Sequence, residues 1–224
     1  MIDVRSDLLD AQAAAWRDIA APGSWWSGAQ RLRIASIARA ALDDPEPIPP
    51  WVSAVGQGRA VDDGLIPTVA ADVTYRIARH AGTITEEVAR SVTAEIGALA
   101  YVELCSIVSA VAAIDRFHRN VGNDVPDLPD PVAGEPTREQ PAEVVDATLN
   151  WVPVAAPADQ TAAVLQAYSA VPGAQRMTWR LGAAQYMPAE EMIHADWMRR
   201  ADGLTRPEAE LIASRVAQLR ECFY

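Results

Sequence analysis

Lysine is absent from this chain: all 19 of its basic side chains are arginines. Against them stand 30 acids, so the formal net charge is −11. A surface of that sign repels phosphate backbones and anionic bilayers, which excludes nucleic acid and argues against a membrane partner. The missing lysines point to the codon bias of a GC-rich bacterial genome. Cysteine is nearly absent too. Cys105 and Cys222 are the only two, and neither belongs to a Cys-x-x-Cys pair, so no disulfide framework is expected. There is no basic, apolar leader at the N-terminus, and a reducing cytoplasm is the expected compartment. Aromatics make up only 6% of the chain, although seven of them are tryptophans.

Half of the 224 residues are hydrophobic, enough for a proper core. Alanine dominates them, which favours close-packed helices. The longest apolar run, Ile96 to Ile114, is long enough to span a bilayer. It carries Glu103 near its middle, however, and a carboxylate at the midplane is costly. A buried core helix is the expectation.

Along the chain, Leu8, Ala11, Ala15 and Ile19 recur at helical spacing with Trp16 beside them. Pro22-Gly23 ends that helix, and a second runs over 29–44 to Asp43-Asp44-Pro45. Residues 45–64 read as a loop with one short helix around Trp51 to Val55. A helix over 67–80 follows, closed by Gly82. The Thr83-x-x-Glu86 spacing predicts a capping box that opens one long helix to about Val121. Five prolines between Gly122 and Val152 exclude a helix there. Val125, Leu128 and Val132 in that segment predict packing on something, as a wrapping segment or a linker. Helices are expected again over 159–169, 174–186 and 189–201. A last one is capped by Thr205 with Glu208 three residues on. No segment alternates as a strand does, so the expected class is all-α.

Two windows echo each other: ELCSIVSAVAAIDRF from Glu103, and ELIASRVAQLRECFY from Glu210. Asp115 in the first falls opposite Cys222 in the second. RIASIARAALDD gives a fainter third copy, with Asp44 in that place. Duplication of a helical unit would produce this pattern. The expected organisation is a helical unit over 1–122, a proline-rich connection over 123–152 and a second unit over 153–224.

The last window resembles the core motif of the carboxymuconolactone decarboxylase and alkyl hydroperoxidase D-like superfamily. In that motif a glutamate and a small-residue helix precede Cys-x-x-Cys and a histidine. Glu210 matches the glutamate and Cys222 the first cysteine; Phe223 and Tyr224 match the two residues between the cysteines. Tyr224, the last residue of the sequence, falls before the second cysteine and the histidine. The middle window resembles the cysteine-free branch of the same superfamily. There Glu103-Leu104, Asp115-Arg116-Phe117 and Gly122 match, while Asp115 and His118 occupy the two cysteine positions. Residues 25–42 resemble a segment of longer members. The matching motifs span 25–42, 85–122 and 205–224.

The resemblance implies an all-helical bundle of the alkyl hydroperoxidase D-like type, a homo-oligomer and no bound cofactor. Three functions stay open. One is thiol-dependent peroxide reduction, an antioxidant role with Cys222 as redox thiol, Glu210 as its orienting acid and an external thiol reductant. A second is lyase or hydrolase chemistry on a small acid or lactone, with Glu103, Asp115, Arg116 and His118 as the site. The third is a catalytically silent binding or scaffold protein. Twelve residues of straight helix would hold Glu210 and Cys222 about 18 Å apart, so they meet only if the helix breaks. Glu103, buried in an apolar run, needs a cation or a raised pKa. Arg116 or an arginine from elsewhere supplies the cation. Cys105 reads as a small buried hydrophobe, and His80 and His194 as surface residues without metal-ligand spacing. Trp25-Trp26 anchors a core or lines a pocket. Light scattering checks the homo-oligomer: a mass of more than one chain is expected, and a monomer at working concentration overturns it.

Overall fold

The computed structural model describes residues 4–45, 63–147, 150–156, 163–185 and 203–219. They are mostly helical. The chain divides into two compact units, Met1–Leu181 and Gly182–Tyr224.

Five helices open the first unit. Helix α1 spans Ser6–Ala20 and buries Ala15, Trp16 and Ile19, on the face read from the sequence. Helix α2, Gly28–Asp43, opens with a capping box: the Gln30 amide donates to Ser27 Oγ and the Ser27 amide to Gln30 Oε1. Two of the free donors of its first turn are thereby satisfied. Its buried stripe runs Gly28, Arg31, Ala35, Ala38, so one arginine sits among the small apolar residues. Helix α3 is Thr68–His80, followed by a 3-10 turn, Ala81–Thr83. The core lies where α1, α2, α3 and α5 meet.

The expected single helix to Val121 is two. Helix α4, Glu86–Ile96, ends at Gly97, and α5, Ala98–Val121, begins beyond it. Gly97 has φ +89° and ψ 143°, a region open in practice only to glycine. The cap of α4 also differs from expectation. Thr85, not Thr83, caps it, accepting from the Val88 amide. Thr83 closes the preceding turn instead, donating to the His80 carbonyl and accepting from Arg76 Nε. Helix α5 is the one helix among the described residues long and apolar enough to cross a membrane, and it is mostly buried against its neighbours. Gly122 closes it in the left-handed conformation, with the Asn123 amide returning to the His118 carbonyl.

The proline-rich segment wraps rather than links. Val132 donates its amide to the Ala20 carbonyl, Thr137 to Gly23 and Arg138 to Ser24. Leu128 packs on the core, whereas Val132 is exposed. The segment ends in a feature absent from the all-α expectation. Strands β1, Val144–Asp146, and β2, Pro153–Ala155, pair antiparallel with Val145 opposite Val154. Three-residue strands are too short to show alternation. Helix α6 is only Ala163–Gln166, and α7, Pro172–Gln185, starts on its proline as helices tolerate.

In the second unit, α8 spans Arg206–Leu219. Glu208 accepts hydrogen bonds from the Thr205 amide and hydroxyl, so this capping signal is present. None of the residues of α8 is buried. The helices expected around Trp51 and over 189–201 lie outside the described residues.

Gly97→Ala adds a Cβ into open space, so its effect is on the backbone alone. It should cost about 1–3 kcal/mol in urea unfolding. An unchanged midpoint would show that the α4–α5 break does not need glycine.

Candidate functional site

The turn between α1 and α2, residues 21–27, folds back over α5. Trp26 fixes it there, buried, with its indole N–H donating to the Ala100 carbonyl at 2.9 Å. Trp25 is partly buried beneath the Arg138 guanidinium, which lies 5.0 Å from the ring centre. The tryptophan pair therefore anchors the turn.

Beneath that turn lies Glu103, only 1% exposed. Its Oε2 accepts the Trp25 amide at 2.7 Å. Its Oε1 is 3.0 Å from Nε of Arg31, a buried ion pair between α5 and α2. The two atoms attract as an ion pair, although their alignment is not that of a hydrogen bond. Arg31 is held from its other end, where Nη1 donates to the carbonyls of Asp18 and Ala21. Burial pushes the Glu103 carboxyl above its ordinary pKa, against the opposing pull of Arg31 and the backbone amides of the turn. Burial also lowers the Arg31 pKa, with Glu103 acting the other way.

Gly23 makes this approach possible. A Cβ on it would lie 1.7 Å from Glu103 Oε1. Above the pair is a cavity of about 190 Å³, lined in part by Gly23, Arg31, Glu103 and Gly173. Its rim carries Asp18, Glu139, Arg176 and Arg180. Arg176 grips Glu139 through two hydrogen bonds of 3.0 and 2.9 Å, and Arg180 meets Asp18 at 3.0 Å. These pairs are exposed, and pairs of that kind are worth only about 0–1 kcal/mol. An incoming carboxylate can exchange with them.

The grouping of Glu103 with Asp115, Arg116 and His118 does not hold. Twelve residues along one straight helix set Asp115 about 18 Å from Glu103, and His118 lies farther still. Asp115, fully buried, accepts two hydrogen bonds from Arg39 of α2, at 2.7 and 2.9 Å. The same guanidinium stacks over Trp16 at 5.2 Å. His118 is buried, its Nε2 2.9 Å from Gln12 Oε1. Together they form a second polar layer between α1, α2 and α5, in which Gln12 Nε2, Trp16 Nε1 and His118 Nδ1 are buried without a hydrogen bond among the described residues. The cation that meets Glu103 is Arg31, not Arg116, its nearest candidate in sequence.

The thiol motif is not assembled among the described residues. Glu210 is exposed on α8, 3.6 Å from Arg206 one turn back, and Cys222 lies outside the described residues. The two aligned glutamates thus occupy opposite environments. Cys105 is partly buried, and burial pushes its thiol up to about 12, outweighing the hydrogen bond from Tyr101. Such a thiol carries almost no thiolate at neutral pH, and the thiolate is the nucleophile.

No protein-family model, no curated protein and no solved structure matches this chain. The site stands on its geometry. Sequence reasoning singled out Glu103 but missed Gly23, Arg31, Glu139, Arg176 and Arg180. A signal existed for one of them: Arg31 interrupts an otherwise small and apolar helical stripe. Gly23 sits in the turn between α1 and α2, and Glu139, Arg176 and Arg180 reach the site from the wrapping segment and α7, which no local pattern connects to α5.

Removing Arg31 should expose the cost of the buried acid. Arg31→Met is expected to lose about 3–5 kcal/mol in urea unfolding near neutral pH. The loss should shrink at pH 5. A carboxyl that holds its proton more tightly folded than unfolded loses stability as pH rises from the ordinary glutamate range toward its raised value. Equal losses at both pH values would mean that Glu103 does not carry the effect.

Proposed function

We propose that the Glu103–Arg31 pocket is a general-acid site acting on a small carboxylate-bearing molecule. This is lyase chemistry of the kind found in the carboxymuconolactone decarboxylase branch of the superfamily that the sequence resembles. The observation that carries the reading is Glu103 itself, a buried carboxyl paired with Arg31 that lines a cavity together with Arg176 and Arg180. Three arginines line that cavity against three acids. With Glu103 protonated, the balance is one positive charge in excess, which favours an anion. Binding the anion and keeping the proton on Glu103 therefore reinforce each other.

In the proposed step, the bond from the substrate carbon to its carboxylate breaks and carbon dioxide leaves. The electron pair stays on the carbon, and Glu103 delivers its proton there. Water at the cavity mouth then returns a proton to Glu103. Arg176 and Arg180 orient the substrate, and Arg31 holds Glu103 in place. A raised carboxyl pKa extends the acid form toward neutral pH, as this role needs. Thiol-dependent peroxide reduction, the rival, draws no support from Cys105 and rests on Cys222 alone.

The test is carbon dioxide release from a carboxymuconolactone, run beside reduction of an organic hydroperoxide with a dithiol. The expected result is decarboxylation that falls about 100-fold in Glu103→Gln, the lower end of general-acid contributions. It should be indifferent to Cys222→Ser and decline as pH rises through the Glu103 pKa. Peroxide turnover lost in Cys222→Ser, with no decarboxylation, would replace this reading with the thiol one.

A further inference from the structure

The wrapping segment brings an acid of its own to the Glu103 pocket. Thr137 and Glu139 line the cavity together with Gly23, Ser24 and Arg176. The two carboxylate oxygens of Glu139 accept from Nη1 and Nη2 of Arg176 at 3.0 and 2.9 Å. That two-point grip is how arginine takes a free carboxylate as well. The pairing holds the Glu139 carboxyl below its ordinary pKa and the Arg176 guanidinium above its own.

The chain leading to Glu139 is fixed at several points. The Thr137 amide donates to the Gly23 carbonyl at 2.8 Å and the Arg138 amide to the Ser24 carbonyl at 2.9 Å, so the segment is paired with two residues of the cavity wall. Arg138, with φ +57°, is the one non-glycine residue of positive φ among the described residues. A left-handed arginine persists only where its surroundings over-determine it. Here its amide is bonded and its guanidinium lies over Trp25. Farther back, Gly134 passes so near Pro22 that a Cβ on it would lie 2.8 Å from Pro22 Cγ. Neither Arg138 nor Glu139 has a part in the proposed proton transfer. Together they deliver a carboxylate to an arginine that is to orient the substrate.

We propose that residues 132–139 form an autoinhibitory strap: Glu139 occupies the carboxylate subsite at Arg176, and a small carboxylate binds by displacing it and loosening the strap. The inference rests on the reading of this pocket as an anion site. Affinity for a free carboxylate is then reduced by the fraction of molecules in which Glu139 holds Arg176.

Calorimetry with succinate on the full chain tests it, together with hydrogen exchange of the strap amides. Glu139→Gln removes the internal competitor and should tighten succinate binding about fivefold, the upper worth of an exposed ion pair. Removing a negative charge would itself favour an anion, so a second variant changes no charge. Gly134→Val drives a side chain into Pro22 and puts a β-branched residue at φ +148°, which dislodges the strap. It too should tighten succinate binding. In the parent, succinate should speed exchange of the Thr137 and Arg138 amides several-fold. A ligand that fills the cavity beside an intact strap would slow them or leave them unchanged. The strap is overturned if succinate binds the parent but binds Gly134→Val no tighter, or if it fails to speed those amides. Succinate that binds neither the parent nor the variants sinks the anion-site reading, and this inference with it.

Discussion

A carboxylate taken out of water must find compensation, and the first unit is arranged around supplying it to Glu103. The long helix α5 carries the acid, α2 brings Arg31, and the turn between α1 and α2 brings a backbone amide. None of these would approach so closely without a glycine at position 23. Replacing such an ion pair by apolar groups of equal volume is often neutral or stabilising. Stability alone is therefore a weak reason for this chain to keep the pair. The proposed acid role at the cavity would give the pair a chemical use.

The contrast between the two aligned windows bears on how function is read from them. In α5 the glutamate is buried; in α8 it stands in solvent beside Arg206. Similar letters at similar spacing thus give a buried acid in one place and an i,i+4 surface pair in the other. The surrounding helices decide which, and α2 supplies α5 with a partner that α8 lacks among the described residues. This is why the middle window, rather than the motif with the cysteine, holds the candidate site.

Helical periodicity made the helices legible, and composition made the class legible. Trp16, Ala15 and Ile19 face the core as their spacing requires. Boundaries were harder where two signals competed. Thr83 and Thr85 both resemble caps, and the hydrogen bonds of Thr83 to His80 and from Arg76 assign it to the turn before. The single helix expected to Val121 runs through Gly97, because nothing local in the sequence demands a positive φ there. The β pairing was invisible, since three residues carry no period. Of the site, the acid was legible because a charge in an apolar run must be accounted for. Its surroundings were not, because Glu139 and Arg176 arrive from parts of the chain far removed in sequence.

That last point has a consequence for how the protein comes into being. The wrapping segment donates Val132, Thr137 and Arg138 back to Ala20, Gly23 and Ser24, and Arg176 then clasps Glu139 on the segment itself. During synthesis the buried acid and its arginine can meet as soon as α5 has emerged. The wall that turns their neighbourhood into an enclosed pocket is made only afterwards, by chain that must return to the first turn it left. Closing such long loops is slow, since their entropy is lost before any contact rewards it. A nascent chain therefore holds a folded core and an unfinished pocket for a time, and the completed cavity arrives later than compactness.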